Sequence, residues 1–135
     1  MQLSDFPIQS YDKVRYSDCD PQGHVNNAVF SVFLETGRSD LVASVRASNM
    51  HEDGRFVVAR LELDYVAEIF WRGQVEIGTA LLKLGNSSVH VEQVMFQDGK
   101  LVAKAKTVLV HLGADRRPAS LSEAQRASFI KLTRA

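Results

Sequence analysis

The run Asp18-Cys-Asp-Pro-Gln-Gly-His-Val-Asn-Asn27 gathers two carboxylates, an imidazole, three side-chain amides and a turn glycine within ten residues. An apolar helical pattern follows directly, so the run delivers these groups to the start of a helix. There, backbone N–H groups without intrahelical partners and the positive end of the helix dipole favour developing negative charge. A carboxylate and a histidine beside such donors are the parts that an acyl-transfer or hydrolysis site needs. In that chemistry one of the carboxylates, Asp18 or Asp20, attacks or activates water, and His24 positions water, bonds that carboxylate or protonates the leaving group. Backbone N–H groups after Gly23 hold the oxyanion.

Plainer roles compete for the same residues. Asp20 stands before Pro21, a common turn arrangement, and Asp18 reads as a turn or strand-end acceptor. Asn26 and Asn27 suit a helix N-cap, with Asn27 also within reach of a substrate. Cys19 alternates away from the face of Asp20, which argues against a nucleophilic thiol. Asp18, Asp20 and Gly23 imitate the opening of an EF-hand loop, yet Val29 occupies its twelfth place, where a bidentate glutamate belongs. Asp18, Asp20 and His24 lack a fourth ligand for a transition metal. His51, His90 and His111 show no ligand spacing. No metal and no cofactor are therefore expected.

The elements that must position the motif follow from periodicity. Residues 8–17 alternate loosely as a first strand. From Ala28 to about Ala47 the chain reads as a helix whose first turns are apolar nearly all round, so it must be wrapped by other structure. Gly37 inside it costs about 1 kcal/mol relative to alanine and signals close packing. After a polar loop over Asn49–Arg55, Val57, Ala59, Leu61, Leu63 and Tyr65 alternate with Arg60, Glu62 and Asp64 as a long strand. Phe70–Gly73 turns into a strand through Val75, Ile77, Thr79 and Leu81, and Gly85-Asn86 marks a hairpin turn. A strand over Val89–Phe96 leads to Asp98-Gly99, a strong two-residue hairpin signal. The last strand runs Leu101–Leu112, and Ser122 with Gln125 makes a capping box for a short terminal helix. One strand, one buried helix and four successive strands describe an α+β domain: a five-stranded antiparallel sheet wrapped around one long apolar helix.

Composition narrows the partners. The chain has 135 residues, 45% of them hydrophobic, enough for one domain over residues 1–135 with its own core. Sixteen basic and sixteen acidic residues cancel, so no nucleic-acid partner is expected. A single cysteine excludes an intrachain disulfide framework and suits a reducing compartment. The N-terminus lacks the charged and apolar regions of a signal peptide, and no run is apolar enough to span a membrane. A soluble, cytoplasmic location is expected.

Tyr16-Ser-Asp-Cys-Asp-Pro-Gln-Gly-His-Val-Asn-Asn27, with Phe30, Phe33, Leu34, Glu35 and Arg38 beyond it, resembles the hotdog-fold thioesterases of the 4-hydroxybenzoyl-CoA thioesterase type. The Asp-Cys-Asp-Pro-x-Gly portion is similar to the 4-hydroxybenzoyl-CoA enzymes. His-Val-Asn-Asn is similar to plant acyl-carrier-protein thioesterases and many bacterial acyl-CoA thioesterases. Asp64-Tyr65, Leu84-Gly-Asn-Ser-Ser-Val89, Asp98-Gly-Lys-Leu-Val-Ala103 and Arg117-Pro118 agree in order, so the resemblance covers about residues 10–130.

The resemblance implies a hotdog fold and hydrolysis of acyl-CoA or acyl-carrier-protein thioesters, with catalytic Asp20 and His24. Gln22 stands where the acyl-carrier-protein type has a site asparagine, and the motif is a hybrid that names neither carrier nor acyl group. Gln22, Gly23 and Asn27 are expected beside the substrate. Arg60, with Lys83, Arg116 and Arg117, is a candidate for the phosphates of coenzyme A, and Asn86, Ser87 and Ser88 for donors at a turn. Glu35 either pairs with Arg38 at the helix surface or faces the site. A homodimer or homotetramer is implied, with sheets joined and sites at the dimer interface. The alternatives are a non-catalytic acyl-thioester binding or assembly protein and, among enzymes, a hotdog dehydratase, whose His…Pro-Gly arrangement has no counterpart here.

Overall fold

The computed structural model describes residues 1–48 and 54–135. Strands β1 (Ile8–Val14), β2 (Arg55–Tyr65), β3 (Gly73–Leu84), β4 (Ser88–Gln97) and β5 (Lys100–Leu112) form one antiparallel sheet in the order β1-β3-β4-β5-β2. Helix α1 (Asn27–Ser48) links β1 to β2, and α2 (Glu123–Ile130) lies near the C-terminus. This is the α+β hotdog architecture that the pattern of elements and the resemblance imply. Most of the expected loop over 49–55, with His51, lies outside the described residues.

The helix is held by its apolar stripe. Phe30, Phe33, Leu34, Leu41 and Val45 are buried, at the spacing that keeps them on one face. Burial of a large apolar side chain contributes about 2 kcal/mol, so these residues outweigh any intrinsic helix preference. At the centre of the stripe, Gly37 lets the helix backbone approach the sheet. A Cβ there would lie 2.5 Å from Thr79 Oγ1, 2.7 Å from Gln93 Nε2 and 2.8 Å from Ile77 Cγ2. Gln93 uses the gap: its Nε2 donates to the Leu34 carbonyl at 2.9 Å and to Thr79 Oγ1 at 3.0 Å.

Two expectations need correction. The helix is not covered all round, because Val32 is half exposed. The alternation of β2 also breaks, because the pairing with β5 shifts between Val58 and Arg60. A bulge reverses which face successive side chains take. Phe56 therefore packs inward with Leu41 and Phe129, whereas beyond the bulge Leu61 and Leu63 point inward. Val57, expected to face inward with them, is exposed.

The remaining signals form as expected. Asp98 and Gly99 both take positive φ in the β4–β5 hairpin. The Gln125 N–H donates to Ser122 Oγ at 3.0 Å, and the Ser122 N–H donates to Gln125 Oε1 at 2.9 Å, closing the capping box of α2. β1 and β2 are the two sheet edges. β2 and the residue after it expose Val57, Val58, Tyr65 and Val66.

Candidate functional site

The motif is a miniature hairpin that runs straight into α1. The Gly23 N–H donates to the Asp20 carbonyl at 3.0 Å and the Asp20 N–H to the His24 carbonyl at 2.9 Å. Pro21 presets the first turn residue, and Gly23 takes φ of 92°, a left-handed value that L side chains rarely adopt. Asp20 and His24 thus face each other across a three-residue loop. Cys19 bridges Val25, and the Asn26 N–H donates to the Asp18 carbonyl at 2.9 Å. Alternation then sorts the side chains. Cys19 and Val25 pack into the core, while Asp20 and His24 turn toward solvent.

The catalytic candidates meet. Asp20 Oδ2 lies 3.7 Å from His24 Nδ1, and the side chains are 22% and 20% exposed. Asp20 Oδ1 accepts the Gln22 N–H at 2.9 Å. Gln22 Oε1 is 3.1 Å from His24 Nε2, so Gln22 belongs to the same cluster. On the far side of the ring, Glu68 Oε1 lies 3.7 Å from Nε2. The imidazole stands between two carboxylates, which pair with it ionically when it is protonated. Asp18 is structural: its Oδ2 accepts the Arg15 N–H at 2.7 Å and closes the short 3-10 turn Tyr16–Asp18.

Accounting for backbone donors shows which remain for an oxyanion. Those of Gln22 and Gly23 are used inside the turn, that of Val25 goes to the Ile69 carbonyl, and that of Asn26 goes to Asp18. Asn26 Oδ1 caps α1 by accepting the Ala28 N–H at 2.9 Å, and the Asn26 carbonyl accepts the Val29 N–H. Among the described residues, the N–H groups of His24 and Asn27 alone in this stretch have no partner. Asn27 stands at the head of the helix, where the dipole adds to its donor.

A cleft of about 300 Å³ opens beside these groups, lined by His24, Val25, Asn27, Phe30, Tyr65, Val66, Ala67 and Glu68. Tyr65 Oη donates to the Asn27 carbonyl at 3.3 Å, and its ring stacks edge-on against Phe30 with centroids 4.9 Å apart. His24 faces this cleft, whereas Asp20 lies behind it, outside the lining. Glu68, Tyr65 and Phe30 were not expected as site residues. The signal for Glu68 was a lone charge between Val66-Ala67 and Ile69-Phe70; what brings it to the site is the His24–Phe70 bridge.

Other candidates lie elsewhere in the chain. Arg60 points away from α1 and pairs with Glu62 at 2.8 Å. Asn86, Ser87 and Ser88 sit at the β3–β4 turn, the opposite end of a twelve-residue strand from the His24–Phe70 bridge, on the order of 35 Å away in a single chain. There the Asn86 carbonyl accepts the Leu121 N–H at 3.0 Å and the Ser87 carbonyl accepts the His111 N–H at 2.7 Å. Glu35 and Arg38 do not form the expected ion pair among the described residues. Arg38 is buried, its Nη1 has no partner, and burial lowers its pKa, with Glu35 opposing. Both line a second cleft, of about 720 Å³, between α1 and β2.

Solved structures share this arrangement of elements. A thioesterase from Thermus thermophilus, complexed with coenzyme A and zinc, is 37% identical, with a TM-score of 0.83 and 94% of each chain covered. A predicted thioesterase from Bacillus stearothermophilus is 26% identical, with a TM-score of 0.85, covering 93% of this chain and 96% of the other. Slr0204, a 1,4-dihydroxy-2-naphthoyl-CoA thioesterase from Synechocystis, shares the fold at 15% identity and a TM-score of 0.77, covering 93% of this chain and 96% of that one. No curated protein matches significantly. Residues 14–129, spanning the hairpin, α1, strands β2 to β5 and most of α2, match the thioesterase-like superfamily, and the chain belongs to it.

Proposed function

We propose that this protein hydrolyses acyl thioesters, carried on coenzyme A or acyl carrier protein, to the free acid and thiol. The observation that carries the reading is the Asp20–His24 pair at the head of α1, beside a cleft with an uncommitted Asn27 N–H. A thiolate leaves readily, so the reaction needs an oriented nucleophile and a donor for the carbonyl oxygen. Asp20 either attacks the carbonyl carbon, forming an acyl–Asp20 anhydride that water then hydrolyses, or takes a proton from the water that attacks in its place. The Asn27 N–H steadies the oxyanion. The C–S bond then breaks, and His24 relays to the departing sulfur the proton that Asp20 took from water or, after direct attack, one drawn from solvent. Because His24 rather than Asp20 lines the cleft, a second assignment has support: His24 takes the proton from water, and Asp20 and Glu68 orient the ring. The relative with bound coenzyme A favours an acyl-CoA substrate.

The site is open along the β2 edge. Edge strands are normally paired or protected, and β2 exposes Val57 and Val58 near one end and Tyr65 at the other. Two copies joined edge to edge at β2 would cover them and wall the cleft. Light scattering in dilute solution should return at least twice 15.0 kDa; a monomer would count strongly against the dimer. Release of free thiol across a panel of acyl-CoAs, repeated with the same acyl groups on acyl carrier protein, tests the activity and the carrier. Binding without turnover on any thioester would leave the acyl-binding module as the reading.

A further inference from the structure

Arg38 carries a charge that the chain leaves unanswered. The residue is only 7% exposed, its Nη1 is buried without a partner, and among the described residues its guanidinium forms no ion pair. Glu35, one turn back on α1, is exposed and keeps its charge in water. A buried cation without a hydrogen-bonded counter-charge is costly, so its acceptor has to come from outside the chain. Arg38 lines the cleft of about 720 Å³ between α1 and β2, where Val42, Phe56, Val58 and Leu109 form apolar walls. Two cations in that lining, Arg38 and Arg46, stand against one carboxylate, Glu35, which favours an anion. Arg46 already donates to the Gly54 carbonyl at 2.6 Å. This cleft and the His24 cleft follow one another along a single seam. Tyr65 bonds the Asn27 carbonyl at one end of the seam, and Arg46 bonds the Gly54 carbonyl at the other. Arg38 stands eleven positions beyond Asn27 in the same helix, about 16 Å along its axis.

We propose that the acyl group of the substrate ends in a carboxylate that Arg38 receives, so that the protein hydrolyses half-thioesters of dicarboxylic acids. The inference rests on the thioesterase reading given above and needs no second subunit. With the thioester carbonyl against the Asn27 N–H, the acyl chain runs along the seam and past the apolar walls to Arg38. A carboxylate matches a guanidinium through two parallel, charge-assisted hydrogen bonds. It also brings the opposite charge, which a hydroxyl or a carbonyl end would not. A plain acyl chain of the same reach would leave the buried cation as unanswered as it is without substrate.

The test pairs two series of coenzyme A thioesters, the half-thioesters of dicarboxylic acids and the plain acyl thioesters of equal chain length. At the length that spans the seam, KM for the carboxylated member should be lower by roughly 10-fold or more, as charge-assisted hydrogen bonds give. No preference at any length overturns the proposal. Arg38→Met should abolish the preference by raising KM for the carboxylated thioester. Arg38→Lys, which keeps the charge and loses the fork, should retain part of it. A preference that survives Arg38→Met places the carboxylate elsewhere and overturns the proposal too. Thermal melts separate this role from a structural one, because removing an unpaired buried charge should hold or raise the melting temperature. A marked fall, with both series of thioesters affected equally, would make Arg38 a structural residue and sink the idea. Should Arg38→Met not fold, the wild-type series and Arg38→Lys still decide. If no thioester is turned over, the hydrolytic reading fails separately, and calorimetry with the free dicarboxylic acids still reads the cleft. Binding that Arg38→Met loses supports the proposal; absent or unchanged binding overturns it.

Discussion

The hairpin Asp18–Asn26 and the seam where α1 meets the sheet at Gly37 both hold polar side chains, for opposite ends. In the hairpin the bonds are local, and Asp20 and His24 keep about a fifth of their surface in water. In the seam, Thr79, Gln93 and Thr107 are almost wholly buried, and Gln93 reaches a helix carbonyl 59 residues away in sequence. Gln93 Oε1 and Thr107 Oγ1 have no partner among the described residues. Solvated groups on a tight turn can change protonation and meet a substrate with little disturbance to the fold. Buried groups wedged against a helix instead set its distance and register, so a change there is felt as stability.

The largest expected effect would break the comparison on the hairpin side. Asp20→Asn keeps shape and removes charge, so turnover should fall at least about 100-fold while the melting temperature holds. Asp18→Asn should do the reverse, because its carboxylate closes the 3-10 turn through the Arg15 N–H; most turnover should survive and stability should drop slightly. His24→Ala should fall between them in turnover if it assists, and match Asp20→Asn if it is itself the base. Steady-state kinetics and thermal melts on the three variants decide. Exchanged phenotypes for the two aspartates would move the catalytic register by two residues.

On the seam side, Gly37→Ala should destabilise by about 1–3 kcal/mol through overpacking. Alanine's better helix propensity offsets about 1 kcal/mol at most. Urea unfolding measures the balance, and turnover per folded molecule should be unchanged. A stabilised Gly37→Ala would mean that the helix stands further from Thr79 and Gln93 than described.

The smallest effect belongs to His90, which lies in neither region. Burial, then the nearby Lys83, lowers its pKa from the ordinary 6.5. Below about pH 6.5 the unfolded chain binds a proton that the folded chain resists, so stability falls with falling pH through that window. His90→Gln should flatten the pH dependence of the melting temperature between that pH and the lowered value. Its pH–rate profile should match the wild type. An unchanged stability profile would assign the acid sensitivity to other groups.

Residues adjacent in sequence determined what neighbours can decide. Asp-Pro-x-Gly closes a turn that faces Asp20 with His24, the 3.6-residue stripe makes α1, and Asp98-Gly99 and Ser122 with Gln125 place a hairpin and a cap. Each rests on bonds among residues a few places apart, so the pattern carries its own geometry. Choices between distant segments were settled only by tertiary structure. The bulge at Ala59 reverses β2 because its partner strand, not its own alternation, sets the register. Glu68 joins His24 through a bridge between loops more than forty residues apart, and Arg38, expected to pair with Glu35 at the helix surface, is buried. Arg46, Arg55 and Arg116 are ordinary charges along the chain, and they line one recess because antiparallel pairing puts the start of β2 beside the end of β5.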